Sequence, residues 1–343
     1  MLTIKTRELV SFLKDNKLTK AHCTVIIDKD TKAIDYIVTD DSCVYQLHEE
    51  HPVDVIFDNN ENLIFAFQVP SVFNFATEGS CVTMNIIKDT NVAQIICDRP
   101  MFTSIIKLND NYSDKIDIPE VEFISMKPYA DVLKAIKNIK GLASDLSTSI
   151  SVELGDIFWT VSVSQCCIFG AAQGIKGSIT SQLFEKIYDW DARVAQVSKT
   201  SLLVKQDYKD GRYMLIHVPI SNNVELPNLV RDMVPKTGVE IVTELTSDVS
   251  SIIGEIIKNI KRDSINVIFK NRRLDIRYVD NTVSLTTEQE QIKTGDKIDI
   301  RVPIKSLISI VNMLDKPAVV TTNGEYICMM RDSKGLLISG IIS

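Results

Sequence analysis

Short runs of apolar and β-branched residues recur along the chain, at 23–27, 33–38, 82–87, 92–97 and 102–107. More follow at 150–154, 158–163, 201–205 and 212–218, then at 265–269, 274–279, 318–322, 326–330 and 336–342. Turns rich in Asp, Asn, Gly or Ser separate them, such as 58–62 (DNNEN) and 209–211 (KDG). Strand-length runs broken by such turns predict an antiparallel, meander-rich architecture.

Helical periodicity is confined to a few places. Val249, Ile252, Ile253, Ile256, Ile257 and Ile260 form an i, i+3, i+4, i+7 stripe behind the capping candidates Thr246, Ser247 and Asp248. Val132, Leu133, Ile136 and Ile139 form a second stripe, with Ser125 upstream as a cap, and Leu9, Val10, Phe12 and Leu13 a third. Each stripe lies between an opening strand (2–4, 122–124 or 240–245) and a run of strands. Shorter helices are expected midway, after Val69-Pro70, Ile179-Thr180 and Val302-Pro303, since proline suits a first helical turn. A unit of strand, helix and three strands thus recurs six times, twice per third, which makes a threefold internal repeat of about 114 residues.

At 343 residues the chain suits two or three domains. The start is charged within five residues and has no apolar segment of a signal peptide. No apolar run approaches the roughly 18 residues that span a bilayer. Seven cysteines without a CxxC pair suit buried thiols in a reducing cytosol, so a cytoplasmic location is expected, with no membrane partner.

Site chemistry is sparse. His48-Glu49-Glu50-His51 has H-x-x-H spacing rather than H-E-x-x-H and reads as a turn beside Pro52, not as zinc ligands. Cys166 and Cys167 read as core filler, and Asp189-Trp190-Asp191 as a solvated turn. No phosphate-binding glycine loop or nucleophile elbow occurs, and the four histidines are scattered. The expectation is a protein without catalytic residues, metal or cofactor.

The helices instead carry positive charge. The first helix and its exit contribute Arg7, Lys14, Lys17 and Lys20; the second contributes Lys134, Lys137 and Lys140. The third contributes Lys258, Lys261 and Arg262, and the midway helices Lys186 and Lys305. Acidic residues outnumber basic ones by 45 to 38, giving a net charge of −7, so a protein that coats nucleic acid with general basicity is excluded. If the repeat puts these helices on one surface, that surface is positive on an acidic molecule. A protein that surrounds a polyanion without reading its sequence needs that segregation.

With the repeat and these faces in place, the whole chain resembles a DNA polymerase sliding clamp of the bacterial beta-subunit type. Residues 160–168 (TVSVSQCCI) are similar in their apolar frame to the family's T-V-A-T-D-G-H-R-L, with the D-G-H-R turn replaced. Residues 226–235 (LPNLVRDMVP) resemble the F-P-D-Y-R-R-V-L-P connector, with one extra residue. Residues 298–314 (IDIRVPIKSLISIVNML) resemble the family's last strand and helix, while 338–342 (ISGII) stand where the family has a Met-Pro-Met type ending.

The resemblance implies an α+β, DNA-clamp fold of three repeated domains, 1–118, 119–226 and 227–343, with antiparallel sheets outside and helices inside. It implies a processivity factor: a head-to-tail homodimeric ring around double-stranded DNA, contacted without sequence preference, that tethers DNA polymerase and clamp loader through short peptide motifs. By position, the peptide pocket would use Val163, Ile168, Pro227, Arg231, Met233, Gly340 and Ile341. The protomer interface would use Phe102, Ile106 and Ile257, by pairing 102–107 with the segment 257–269. The divergence from cellular clamps and the Ile, Lys, Asn and Asp richness suit a phage source and a host-cytoplasmic location. The competing reading is a β-rich structural or assembly protein of a phage particle, without DNA function.

Overall fold

A computed structural model describes residues 2–233 apart from 19, 41–42, 51, 53, 57–61, 78, 88–89, 144–149, 164–165, 172–173 and 209, and beyond 233 the strands named below. The chain opens with β1 (Leu2–Thr6), α1 (Glu8–Asp15), β2 (His22–Ile27), β3 (Ile34–Thr39), β4 (Val44–Glu49), β5 (Asp54–Ile56), β6 (Leu63–Gln68), β7 (Val82–Ile86), β8 (Val92–Asp98) and β9 (Met101–Asn109). It continues through β10 (Ile124–Ser125), α2 (Ala130–Ala143), β11 (Ser151–Leu154), β12 (Phe158–Val163), β13 (Cys166–Ala171), β14 (Gly177–Thr180), α3 (Ser181–Asp189), β15 (Arg193–Ser198), β16 (Ser201–Asp207), β17 (Tyr213–Pro219) and α4 (Leu226–Met233). The described remainder is all strand: β18 (Thr243–Leu245), β19 (Ser264–Lys270), β20 (Arg273–Arg277), β21 (Ser284–Glu288), β22 (Ile298–Pro303), β23 (Ala318–Thr322), β24 (Tyr326–Arg331) and β25 (Lys334–Ser339).

Two compact units result. One is Met1–Ser125 with Trp190–Pro219, the other Met126–Asp189 with Ile220–Ser343. In the first, thirteen strands join in the order β10-β15-β16-β17-β4-β3-β2-β6-β9-β8-β7-β1-β5. The second holds an eight-stranded sheet, β14-β11-β12-β13-β25-β24-β23-β18, and a four-stranded sheet, β21-β20-β19-β22. The pairings are antiparallel, as the short runs and turn-rich spacers predict.

The helices form where an apolar stripe meets a sheet. α1 buries Leu9, Val10, Phe12 and Leu13. Burial of each such side chain contributes about 1.5–3 kcal/mol, far more than the propensity of eight residues. Thr6 Oγ1 accepts the Glu8 amide at 3.2 Å, and Lys17, at φ 57°, turns the chain out of the helix. α2 buries Val132, Ala135, Ile136 and Ile139 and packs on β12 and β13.

Three local expectations are corrected. Ser125 belongs to β10, and a 3-10 turn at Lys127–Tyr129, with Pro128 inside it, separates it from the start of α2 at Ala130. The helix expected after Val69-Pro70 is only a 3-10 turn, Ser71–Phe75, which buries Phe73 alone. His48 and Glu49 lie in β4 rather than in a turn, and His48 Nδ1 is 2.9 Å from the Asp35 carboxylate. The stripe at 249–260 and the helix expected after 303 lie outside the described residues.

Candidate nucleic-acid interface and docking edges

Among the first basic cluster, Arg7 is exposed beside the Cys81 thiol, and Lys14 Nζ donates to the Ala76 carbonyl at 2.5 Å. Lys17 and Lys20 are exposed and make no ion pair among the described residues. On α2 the spacing of three sets Lys134, Lys137 and Lys140 along the side opposite the buried stripe. Lys140 is spanned by both Glu185 oxygens of α3, at 2.6 and 2.7 Å, and Lys134 lies 3.8 Å from Asp131. Lys137 is exposed and forms no ion pair among the described residues. Lys186 is half-buried on α3. Lys258, Lys261, Arg262 and Lys305 lie outside the described residues. Exposed ammonium groups at Lys17, Lys20, Lys134 and Lys137 suit weak phosphate contact, because a hydrated point charge on a flexible stem imposes no register.

The pocket expected between the middle and last thirds is only partly assembled by the structure. α4 lies on β11, β12 and β13, with Val230 buried among Cys167, Phe169, Cys328 and Met330 and with Phe158, Leu226 and Leu229 packed around them. Pro227 is buried against Gly155, where even a Cβ would come within 2.8 Å of the proline ring. Arg231 is exposed on the same helix. Val163 and Ile168, however, pair with Cys166 and Val161, so strand alternation turns them away from the face of Cys167 and Phe169 that α4 covers. They are 3 % and 0 % exposed, which makes them core residues here and not pocket lining. Met233 ends α4, and Gly340 and Ile341 lie outside the described residues. Cys166 and Cys167 are buried filler as expected, and burial pushes the Cys167 thiol well above its ordinary range.

Strand edges carry the clearest site geometry. In the sequence repeat the halves of each third end on β4 and β9, on β13 and β17, and on β21 and β25. β17 pairs with β4, from Tyr213↔His48 to His217↔Val44, and β13 pairs with β25, from Cys166↔Ile338 to Phe169↔Gly335. Each seam joins the end of a first half to the end of the following third's second half. β9 and β21 are left over. β9 pairs with β8 along its length but with β6 only at Leu108 and Asn109, so the outer edge of Met101–Lys107 is bare among the described residues. β21 pairs only with β20 there.

This corrects two interface assignments. Ile106 is 7 % exposed, and the Phe102 ring meets the buried Phe73 ring at 6.5 Å, so both turn toward their own core. Met101 and Ile105 point outward, at 85 % and 72 % exposure. The 257–269 segment contributes β19, which is flanked by β20 and β22 and offers no edge; Ile257 itself lies outside the described residues.

No protein-family model and no curated sequence matches the chain. Solved structures do. The DNA polymerase sliding clamp of Caulobacter crescentus superposes with a TM-score of 0.62 at 10 % identity, over 100 % of this chain and 99 % of that one. The Helicobacter pylori beta clamp bound to a DNA ligase peptide gives 0.59 at 10 % identity, over 99 % and 100 %. The DNA polymerase III subunit beta of Pseudomonas aeruginosa gives 0.59 at 10 % identity, over all of both chains. The fold is that of a bacterial beta-type sliding clamp.

Within this sliding-clamp fold, sequence reasoning found the edge strand at 102–107 but picked Phe102 and Ile106 rather than the outward Met101 and Ile105, and it missed β21 altogether. Alternation along 101–109 held the signal for Met101 and Ile105, since only one parity of a half-covered strand faces out. That β21 is an edge follows only from which strands pair, which no local pattern encodes.

Proposed function

We propose that the chain is a DNA sliding clamp, a processivity factor that encircles duplex DNA and tethers a replicative polymerase. The observation that carries this reading is the likeness to sliding clamps along the full length, combined with exposed lysines on the helices of an acidic chain. In this reading three domains, at 1–118, 119–226 and 227–343, would turn α1, α2 and the basic segment that follows residue 248 toward the duplex and the sheets away from it. Topological linkage makes tight contacts unnecessary, and weak phosphate contacts from Lys17, Lys20, Lys134 and Lys137 permit sliding. Two protomers close the ring head to tail, β9 of one against β21 of the next, because these ends are left over once β4–β17 and β13–β25 have paired. Partner peptides dock beside α4 near Pro227 and Arg231; a DNA ligase peptide is bound by the Helicobacter pylori clamp of the same fold. The protein works in the cytoplasm, that of a host if phage-encoded, and needs no cofactor.

Changing Lys20, Lys137 and Lys258 together to Glu tests the reading. Each lost phosphate contact lowers the log–log salt slope of DNA binding by about 0.9. Retention on circular DNA and processive synthesis should fall, while circular dichroism and peptide binding stay at wild-type values, since exposed lysines contribute little to stability. Wild-type processivity from the triple variant at about 150 mM salt would remove the basis of the proposal.

A further inference from the structure

Between β9 and β10 the chain crosses most of the sheet of the first unit, because β6, β2, β3, β4, β17, β16 and β15 lie between them in the strand order. At the usual strand spacing the crossing is about 38 Å, and the connecting residues 110–123, fully extended, reach about 50 Å. The connection has little slack, and it passes over the β4–β17 seam that joins the first third of the chain to the second.

Its first part is tied down strand by strand. On β2, His22 Nε2 lies 2.5 Å from the Asn111 carbonyl, and Thr24 Oγ1 accepts the Ser113 amide at 2.9 Å. On β3, Asp35 Oδ2 meets Lys115 Nζ at 2.5 Å, and on β4, Gln46 Oε1 accepts the Ile116 amide at 2.7 Å. Thr24, Asp35 and Gln46 are at most 2 % exposed. On the segment itself only Ser113 and Ile116 are half-buried, and the other residues from 111 to 118 are exposed. Polar contacts rather than apolar burial hold it, which puts it at the low end of local stability.

The ion pair is the tie whose loss matters most. Asp35 Oδ1 receives Gln46 and His48, at 2.8 and 2.9 Å, while Oδ2 receives Lys115. Without the ammonium, a buried carboxylate loses a charged donor, and lifting the segment to admit water costs less than unfolding the sheet. Beyond Ile116 only 117–123 remain to reach β10, which is held on β15 by Ile124↔Val194 and Ser125↔Arg193. That stretch covers about 19 Å of sheet with a reach of about 27 Å. The Val121 amide donates to the Pro119 carbonyl at 2.9 Å, a local turn that takes up part of the difference. We propose that 110–118 is a strap across the joint between the first and second thirds, fastened by the Lys115–Asp35 ion pair. Fastened, it leaves a short tether that limits bending at the β4–β17 seam; unfastened, the tether lengthens and the joint flexes with the seam intact.

Hydrogen exchange of the full chain without DNA tests the strap independently of the proposed clamp function. The Ser113 and Ile116 amides should be protected in the wild type. Lys115→Met should speed exchange across 111–118 by about tenfold or more, while β2 and β3 keep wild-type protection. Salt at about 1 M, where the screening length falls to about 3 Å, should speed exchange of the strap in the wild type but not that of β2, and this arm needs no variant to fold. Nitroxides in place of Lys29 and Lys199, on exposed turns to either side of the seam, report the joint. Their distance distribution should be broader in Lys115→Met than in the Lys115 protein. Unchanged strap exchange in either arm, or a released strap with an unchanged distance distribution, would overturn the proposal.

Discussion

β17 and β9 stand at the same place in their repeats, each the last strand of a second half, yet their surroundings are opposite. β17 is sandwiched between β16 and β4 and buries Met214, Leu215, Ile216 and Val218. Among the described residues β9 is covered by β8 alone from Met101 to Lys107, and it alternates between exposed and shielded residues. A bare edge with two large apolar side chains at 85 % and 72 % exposure is an association hazard unless something pairs with it. The contrast teaches that the fold uses one kind of seam twice within the chain and leaves β9 and β21 without it among the described residues; in the proposed ring, another copy would supply the third.

The largest effect expected from this contrast is at β17. Leu215→Asp puts a charge at a fully buried seam position and should cost about 4 kcal/mol or more, read as a lost or strongly lowered thermal transition. Ile105→Asp on β9 should leave the melting temperature within about 2 °C of wild type and convert the assembly to monomers by light scattering. Equal destabilisation by both changes would mean that β9 is covered within its own protomer.

A smaller effect sharpens the β4–β17 seam through pH. Glu49, at the end of β4, is 3 % exposed, and its carboxyl accepts a 2.7 Å hydrogen bond from Thr6. Burial raises it to about 7, against the smaller lowering influence of Thr6. The folded protein therefore keeps a proton that the unfolded chain releases at an ordinary glutamate value. The stabilisation is complete below that value and is lost as pH rises to about 7, on the order of 3 kcal/mol in total. Denaturant unfolding of wild type against Glu49→Gln should show this slope in the wild type only.

Legibility in the sequence followed the physics of each element. β2, β3 and β8 were plain because apolar and β-branched residues dominate them. β4 was hidden because Gln46, His48 and Glu49 are polar letters in a buried strand. The letters are tolerated because Gln46 donates to Asp35 at 2.8 Å and Lys115 contacts the other Asp35 oxygen at 2.5 Å. Burial alone would raise the Asp35 carboxyl, but the hydrogen bonds from His48 and Lys115 hold it below its ordinary range. At the candidate site, basic residues at repeat spacing were readable, whereas the engagement of Lys140 by Glu185 was not, since that partner lies 45 residues away. The Val163 and Ile168 assignments failed because alternation from Phe158 onward puts α4 on the other parity of the sheet.

The pairing of β9 with β21 of a second copy is tested most directly by a photo-crosslinking residue at Thr103, exposed on the bare edge. Irradiation should yield covalent dimers, and mass spectrometry of the linked peptides should place the partner within Ser284–Glu288 of another chain. Monomers at all concentrations, or crosslinks confined to the same chain or to other segments, would contradict closure of the ring at this seam.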